Sequence, residues 1–390
     1  MARLGDLIEQ VRGVSYKPED VYDELDENSI TLLRANNIKD GQLNFDDVIY
    51  VDRRRVRDNQ LLRAGDILIC ASSGSKELVG KAAYVQKDLV MTFGAFCKVV
   101  RPQKIRSDYL GHFFNSPNYR QRISDSSAGA NINNIRNGHI DELEILFPTM
   151  DRQEFIAVVL DKLCGLISLR KQQLAKLDEL VKARFVEMFG DPVLNPKRWP
   201  NYQLKKYIKF LTSGSRGWAQ YFTDQGEYFI TIKNVKNCCI TLDDVQHIIP
   251  PNNSETKRTK LETGDLLISI TADLGRTGVV SDEIAKHGAY INQHLTCIRL
   301  DRTFLYPLYV AYYLESEAGK MQFQAKNQNG VKAGLNFNAI NSLKILVPPL
   351  DLQEKFVTFC EKMEKQRLTI YRSLDKIEIL KKSLMQEYFG

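Results

Sequence analysis

At 390 residues the chain is long enough for two to three domains, each with its own core. Its 54 Lys and Arg against 48 Asp and Glu leave a net charge of +6, a mildly basic balance that permits nucleic-acid binding without demanding it. No apolar run approaches the roughly 20 residues of a membrane helix, the start MARLGDLIEQ lacks the apolar core of a signal peptide, and seven scattered cysteines without a C-x-x-C pair suggest reduced thiols in a cytoplasmic protein rather than a disulfide framework.

In chain order, residues 1–150 read as mixed α/β. Arg3–Glu9 has the spacing of a short amphipathic helix. Strands are expected at Thr31–Asn36, Asp66–Ala71, Ala82–Val85 and Phe93–Val100, a helix at Asp108–Ser116, and a closing strand at Leu143–Pro148. Asp151–Gly190 then contains no proline and one interior glycine, and is rich in Leu, Lys, Glu, Gln and Ala. Leu160, Leu163, Ile167, Leu174, Leu177, Val181 and Met188 fall on one seam, interrupted by Arg170 and Arg184, which predicts one long helix with a coiled-coil face. The stretch 191–200, DPVLNPKRWP, holds three prolines and no periodicity and reads as an extended tether. Beyond it the plan returns: a short helix at Tyr202–Phe210, strands at Tyr228–Lys233, Leu266–Ile270 and His294–Leu300, a helix at Pro307–Glu317, a closing strand at Lys344–Pro349, and a second long helix to Gly390 with Phe356, Met363, Ile370, Ile377 and Leu384 at steps of seven.

The return is a repeat. Asp151, Gln153 and Glu154 match Asp351, Gln353 and Glu354 at an offset of 200, as do Ile140, Leu143, Ile145 and Pro148 with Ile340, Leu343, Ile345 and Pro348, and Phe189-Gly190 with Phe389-Gly390. Gly65-Asp66 before Ile-Leu-Ile matches Gly264-Asp265 before Leu-Leu-Ile, one residue out of step, and Val14-Ser15 is set against Gly214-Ser215. The expected architecture is therefore a tandem of mixed α+β domains, 1–150 and 191–349, with long helices at 151–190 and 350–390 packing as an antiparallel coiled coil. Charge is unequal between the repeats: residues 1–150 carry 20 Lys and Arg against 21 Asp and Glu, and residues 191–350 carry 19 against 14.

No catalytic constellation is visible. The Pro-Pro pairs at 250–251 and 348–349 lack the context of an adenine methyltransferase motif, and Thr92–Phe96 is not a cofactor loop. Gly74–Ala82 has the wrong spacing for a phosphate loop, and the five histidines lack metal-ligand spacing. The informative residues lie in polar loops at matching places. Ser15, Tyr16 and Lys17 stand against Ser213, Ser215, Arg216 and Trp218. Arg34, Asn36 and Asn37 stand against Lys233 and Asn234; Ser73, Gly74 and Lys76 against Thr271 and Arg276; Asn133 and Arg136 against Lys332. Arg and Lys suit guanine or phosphate, Asn and Gln suit adenine, and Gly and Ser permit close backbone approach. A single such loop is ordinarily just a turn: Asn36 and Asn234 could end strands, Trp218 could be core, and Arg53-Arg54-Arg55 a solvated face. Both repeats, however, keep scaffold residues and change loop residues, the pattern of two readers of different sequences on one frame.

With these residues on the page, the chain resembles the specificity subunit of type I restriction-modification systems over essentially its whole length. The match is carried by Thr212–Trp218, the two Gly-Asp-containing strands, Thr92–Phe96, Asn292-Gln293-His294-Leu295, and Pro348-Pro349-Leu350-Asp351-Leu352-Gln353-Glu354; the first repeat has Phe147-Pro148 in place of the double proline. The resemblance implies two target-recognition domains, each binding one half of a split, asymmetric double-stranded DNA target, with Gln293 and His294 added to the candidate contacts. It implies helices that dock two methyltransferase subunits, which carry S-adenosylmethionine, and restriction subunits that use ATP and Mg; this chain itself would hold no cofactor and catalyse nothing. Two other readings stay open at this stage: the DNA-recognition subunit of a related type II enzyme, and a paired-domain scaffold without DNA.

Overall fold

Ile67, Leu68, Ile69 and Cys70 form an unbroken apolar strand because both of its faces are covered: Ile67 and Ile69 point into one core, Leu68 and Cys70 into another. Leu266 and Ile268 are separated from Leu267 in the same way in the second repeat. The computed structural model describes the whole chain except Lys76, residues 127–132 and residues 328–333, together with the side chains of Ser126 and Asn133.

Two compact units are formed, one from Met1–Gln172 with Tyr371–Gly390, the other from Gln173–Ile370. Each holds two four-stranded sheets of identical order. In the first unit one sheet runs Ala82–Tyr84, Ile67–Cys70, Cys97–Pro102, Ile8–Arg12, all antiparallel. The other runs Met91–Phe93, Ser29–Leu33, Ile49–Asp52, Val21–Tyr22, with the first pair parallel. The second unit repeats this with Thr277–Val279, Leu266–Ser269, Leu295–Leu300, Ile208–Ser213 and with Ala289–Ile291, Glu227–Ile230, Gln246–Ile248, Phe222–Thr223.

The expected short helices at Arg3–Glu9 and Tyr202–Phe210 are corrected. Each is a single 3-10 turn, Leu4–Asp6 or Leu204–Tyr207, between two strands. Leu4 and Leu7, like Leu204 and Tyr207, are buried at a spacing of three, which one tight turn satisfies as well as a helix does. The strand expected at Phe93–Val100 is two strands, broken at Gly94–Phe96 where the chain changes sheet. The strands expected to reach Asn36 and Lys233 stop at Leu33 and Ile230 and give way to 3-10 turns.

The long helices span Met150–Phe189 and Leu350–Phe389. Both are shared between the units. In the first unit Ile156, Ala157, Leu160 and Leu163 pack with Met385, Tyr388 and Phe389, so the start of one helix lies beside the end of the other, antiparallel. In the second unit Val181, Phe185, Met188 and Phe189 pack with Phe356 and Cys360 in the same sense. Lys171 pairs with Glu378 in the first unit and Arg367 with Asp178 in the second. The seam is thus broader than the heptad positions read from sequence, taking in Phe185, Cys360, Met385 and Tyr388.

Repeated motifs turn out to be frame. Gln153 accepts from the Arg106 amide (3.0 Å) and donates to the Pro148 carbonyl (2.9 Å); Gln353 does the same with Tyr306 (3.0 Å) and Pro348 (2.9 Å). Asp66, 1% exposed, binds Arg101 through two 2.8 Å hydrogen bonds, and Asp265 binds Arg299 at 2.8 and 2.9 Å. The preceding Gly65 and Gly264 sit at φ +88° and +78°, where a side chain is strained. Asp66→Asn leaves Arg101 without its counter-charge, and is expected to cost about 3–5 kcal/mol. Urea unfolding checks this; a loss below about 1 kcal/mol would show the pair to be dispensable.

Candidate nucleic-acid interface

In each unit the two sheets feed their strand ends into one place, and backbone hydrogen bonds stitch the loops there together. In the first unit Val14 donates to Phe93 (2.7 Å), Gly94 to Leu33 (2.9 Å), Ala71 and Ser72 to Phe96 (2.9 and 3.0 Å), and Ile135 to Ala71 (2.8 Å). In the second, Ser215 donates to Ile291 (3.0 Å), Asn292 to Ile230 (3.2 Å), Ile270 to His294 (3.0 Å) and Leu335 to Ile270 (2.9 Å). The loops singled out from sequence therefore converge, and a further loop, 94–96 or 292–294, lies at their centre.

Close approach sets the register between repeats. A Cβ on Gly13 would overlap the Gly94 carbonyl, and one on Gly214 the carbonyls of Ile291 and Asn292. Val14 bridges Gly94 as Ser215 bridges Asn292. Gly13 is thus the partner of Gly214, and Val14 of Ser215, one residue away from the sequence pairing; the extra residue is Lys209, bulged out of the strand Ile208–Ser213 between Ile208 and Phe210.

The candidate side chains divide sharply. Asn37 is fully buried: its Oδ1 accepts from the Arg34 amide (2.7 Å) and its Nδ2 donates to Asn44 and Asp47 carbonyls (both 2.9 Å). Asn234 repeats this with Thr231, Thr241 and Asp243. Both hold their loops in shape, as does Ser215, 1% exposed, beside Thr259. Trp218 is 4% exposed, packs with Phe229 and Tyr290, and donates its indole N–H to Glu255 (3.1 Å). These four side chains are interior and are not presented to a ligand in this conformation.

The remaining side chains face outward to differing degrees. Ser15 and Lys17 are exposed, and Lys17 pairs with Glu19 at 3.4 Å; Tyr16 is half-buried against Leu32 and Val51. Arg34 pairs with Asp47 (2.9 Å), which also accepts from Asn36 (2.6 Å); Arg276 pairs with Asp273 (2.6 Å). Arg216 and Lys233 are exposed and have no hydrogen-bond or ion-pair partner among the described residues. Ser73 is half-buried, with Gly74 and Arg136 exposed. Thr271 and His294 share a 2.8 Å hydrogen bond, and Gln293 lies 3.3 Å from the other imidazole nitrogen. Lys76, Lys332 and the Asn133 side chain lie outside the described residues, although Asn133 pairs with Ser73 through its backbone. Of the arginine run, Arg54 pairs with Asp52 and Arg55 with Asp20.

A cavity of about 510 Å³ opens in the second unit among Ser213, Arg216, Glu255, Gln293, Asn336 and Phe337. In the first unit Lys98 stands where the second has the buried Thr296, and it donates to Gln10 (2.9 Å) and Asn137 (2.6 Å); burial pushes its ammonium down to about 8. The two units thus present different surfaces on the same frame.

Residues 1–179 and 196–379 match the family model of the type I restriction modification DNA specificity domain. The chain belongs to the type I restriction-modification specificity family. It is 30% identical to the type I restriction enzyme EcoKI specificity subunit of Escherichia coli K12, and 28% identical to the StySPI specificity subunit of Salmonella potsdam. Each comparison covers 97% of this chain and 86% of the relative. Among solved structures, the type I S subunit from M. genitalium superposes with a TM-score of 0.60 at 14% identity, covering all of this chain and 95% of the other. A chain solved in work on type I R-M complex assembly and conformational transition gives 0.55 at 16%, covering all of this chain and 96% of the other. At such identities these two establish the shared fold.

Within this family frame, among the described residues no group of three or more His, Cys, Asp or Glu is placed to hold a metal ion, and no helix is long and apolar enough to cross a membrane. Phe96 lies in the Thr92–Phe96 stretch that carried the resemblance, but it was not among the candidate contacts. It is 70% exposed at the centre of the loops. It aligns with His294 only at an offset of 198, which the strands reveal and a fixed offset of 200 hides.

Proposed function

We propose that this chain supplies the DNA sequence specificity of a type I restriction-modification complex, each unit binding one half of a split, asymmetric duplex target. The observation that carries this is the pairing of identical frames, with Gln153/Gln353 and Asp66/Asp265 in the same roles, with unlike loop chemistry at the matched positions. The partners in this reading are two methyltransferase subunits and the restriction subunits, in a cytoplasmic complex; S-adenosylmethionine, ATP and Mg belong to those partners, and the isolated chain is non-catalytic.

Arg216 and Lys233 are the favoured contacts, because contacting DNA does not require them to give up an existing ion pair, as Arg34 and Arg276 must. Methylation mapping in cells that carry the chain with its partners is expected to give a two-part motif. Arg216→Ala or Lys233→Ala then costs about 1–3 kcal/mol and relaxes one half only if the residue reads a base. It weakens all sequences together and flattens the salt dependence if the residue holds a phosphate. Wild-type motif, rate and salt dependence in both variants would reject the interface. Methyl transfer by the pure chain alone would reject the non-catalytic role.

A further inference from the structure

We propose that Phe96 is an apolar base reader of the first unit, packing its ring on the 5-methyl group of a thymine in that unit's half of the target. The inference rests on the DNA-binding reading above and adds to it a residue and a chemical group.

Phe96 sits in the turn between the strands Met91–Phe93 and Cys97–Pro102, with its ring 70% exposed. A lone exposed apolar residue is ordinary on any surface. The turn that carries this one is fixed: the Phe96 carbonyl accepts two amides, from Ala71 and Ser72, the Cys97 amide donates to Gly94 (2.8 Å), and Gly94 is pressed against Gly13. The ring is therefore held out by a rigid backbone, at the point where the polar loops bearing Arg34, Ser73 and Asn134 meet. The same backbone position in the second unit carries His294, whose imidazole is tied to Thr271 and Gln293. One frame thus offers a hydrogen-bonding ring in one unit and a purely apolar ring in the other.

A phenyl ring cannot recognise phosphate or the heteroatoms of a base edge. In the major groove the apolar group that a base pair presents is the thymine 5-methyl. A rigidly held phenyl among donors and acceptors is suited to that group, with the neighbouring polar loops left to read the flanking edges.

The test uses the complex with its partners and a target defined by methylation mapping. Each thymine of the first half, on either strand, is replaced singly by deoxyuridine, which keeps Watson–Crick pairing and lacks the methyl. Binding is measured with the wild type and with Phe96→Ala, whose core is untouched because the ring is largely in solvent. One position is expected to weaken wild-type binding about fourfold, the effect of one buried methyl group, and to have no effect on Phe96→Ala. Deoxyuridine in the second half should affect both proteins equally. Equal penalties in wild type and variant at every first-half thymine, or a first half without a T·A pair, would overturn the proposal. A failure of the DNA-binding reading itself looks different, since mapping would then yield no two-part motif.

Discussion

Removing Tyr371–Gly390 is expected to unfold the unit formed by the first half of the chain while leaving the second-half unit folded. The reason is the exchange of helix ends. Met385, Tyr388 and Phe389 are 3%, 8% and 4% exposed in the core of the first unit, where the Phe389 ring lies 5.0 Å from Tyr109 and its carbonyl accepts from Asn118 (2.5 Å). Losing one buried Phe to alanine costs about 3–5 kcal/mol. A domain has only about 5–15 kcal/mol in all, so losing three large side chains together exhausts it. The second unit is completed instead by Phe185, Met188 and Phe189, with Phe189 4.7 Å from Tyr309. Phe389→Ala should therefore weaken hydrogen-exchange protection in Ile67–Cys70 and Cys97–Pro102, and Phe189→Ala in Leu266–Ser269 and Leu295–Leu300. Native protection of Ile67–Cys70 in the truncated chain would show that the first unit does not need the C-terminal helix.

The second large effect concerns the gap between half-sites. Each long helix passes from one unit to the other, dividing at Gln172/Gln173 and at Ile370/Tyr371. Seven residues return an apolar seam to the same face. One heptad inserted at each division should therefore keep the seams in register and lengthen each helix by roughly 10 Å, about three base pairs of duplex. On the proposed function, methylation mapping of this variant should return the same two half-sites with a wider gap. Four residues added to one helix alone rotate its seam off its partner and should abolish activity. An active double-heptad complex with an unchanged gap would mean that something other than helix length sets the distance.

The features legible in the sequence were those with a period. The two long helices, their seams and the repeat itself follow from spacing, and their observed ends differ from the expected ones by a residue. The turns at Leu4–Asp6 and Leu204–Tyr207 were misread because two buried side chains three apart cannot distinguish one turn from several. At the candidate interface, the loops singled out from sequence meet in one place, yet side chains within them could not be sorted. Asn37 and Asn36 are adjacent and of one type; one is consumed by three hydrogen bonds inside its loop while the other is exposed. Burial of that kind depends on contacts ten residues away, with Asp47, and no local pattern encodes it. Phe96 was missed because it fell inside one expected strand, Phe93–Val100, whereas the chain turns there between two strands.

The exchange of helix ends also has a consequence for synthesis. Tyr109 meets its partner Phe389 across 280 residues of chain. At about 5–20 residues per second, the ribosome delivers that partner roughly 15 to 55 s after Tyr109 itself has been made. The second unit needs nothing beyond Ile370 and can close as soon as that residue clears the exit tunnel. The domain made first is thus finished last, and until Phe389 has been made it presents an open apolar seat around Tyr109, Phe113 and Leu160. That waiting surface is where a chaperone would bind, and where a second nascent chain could insert its own C-terminal helix in place of the proper one.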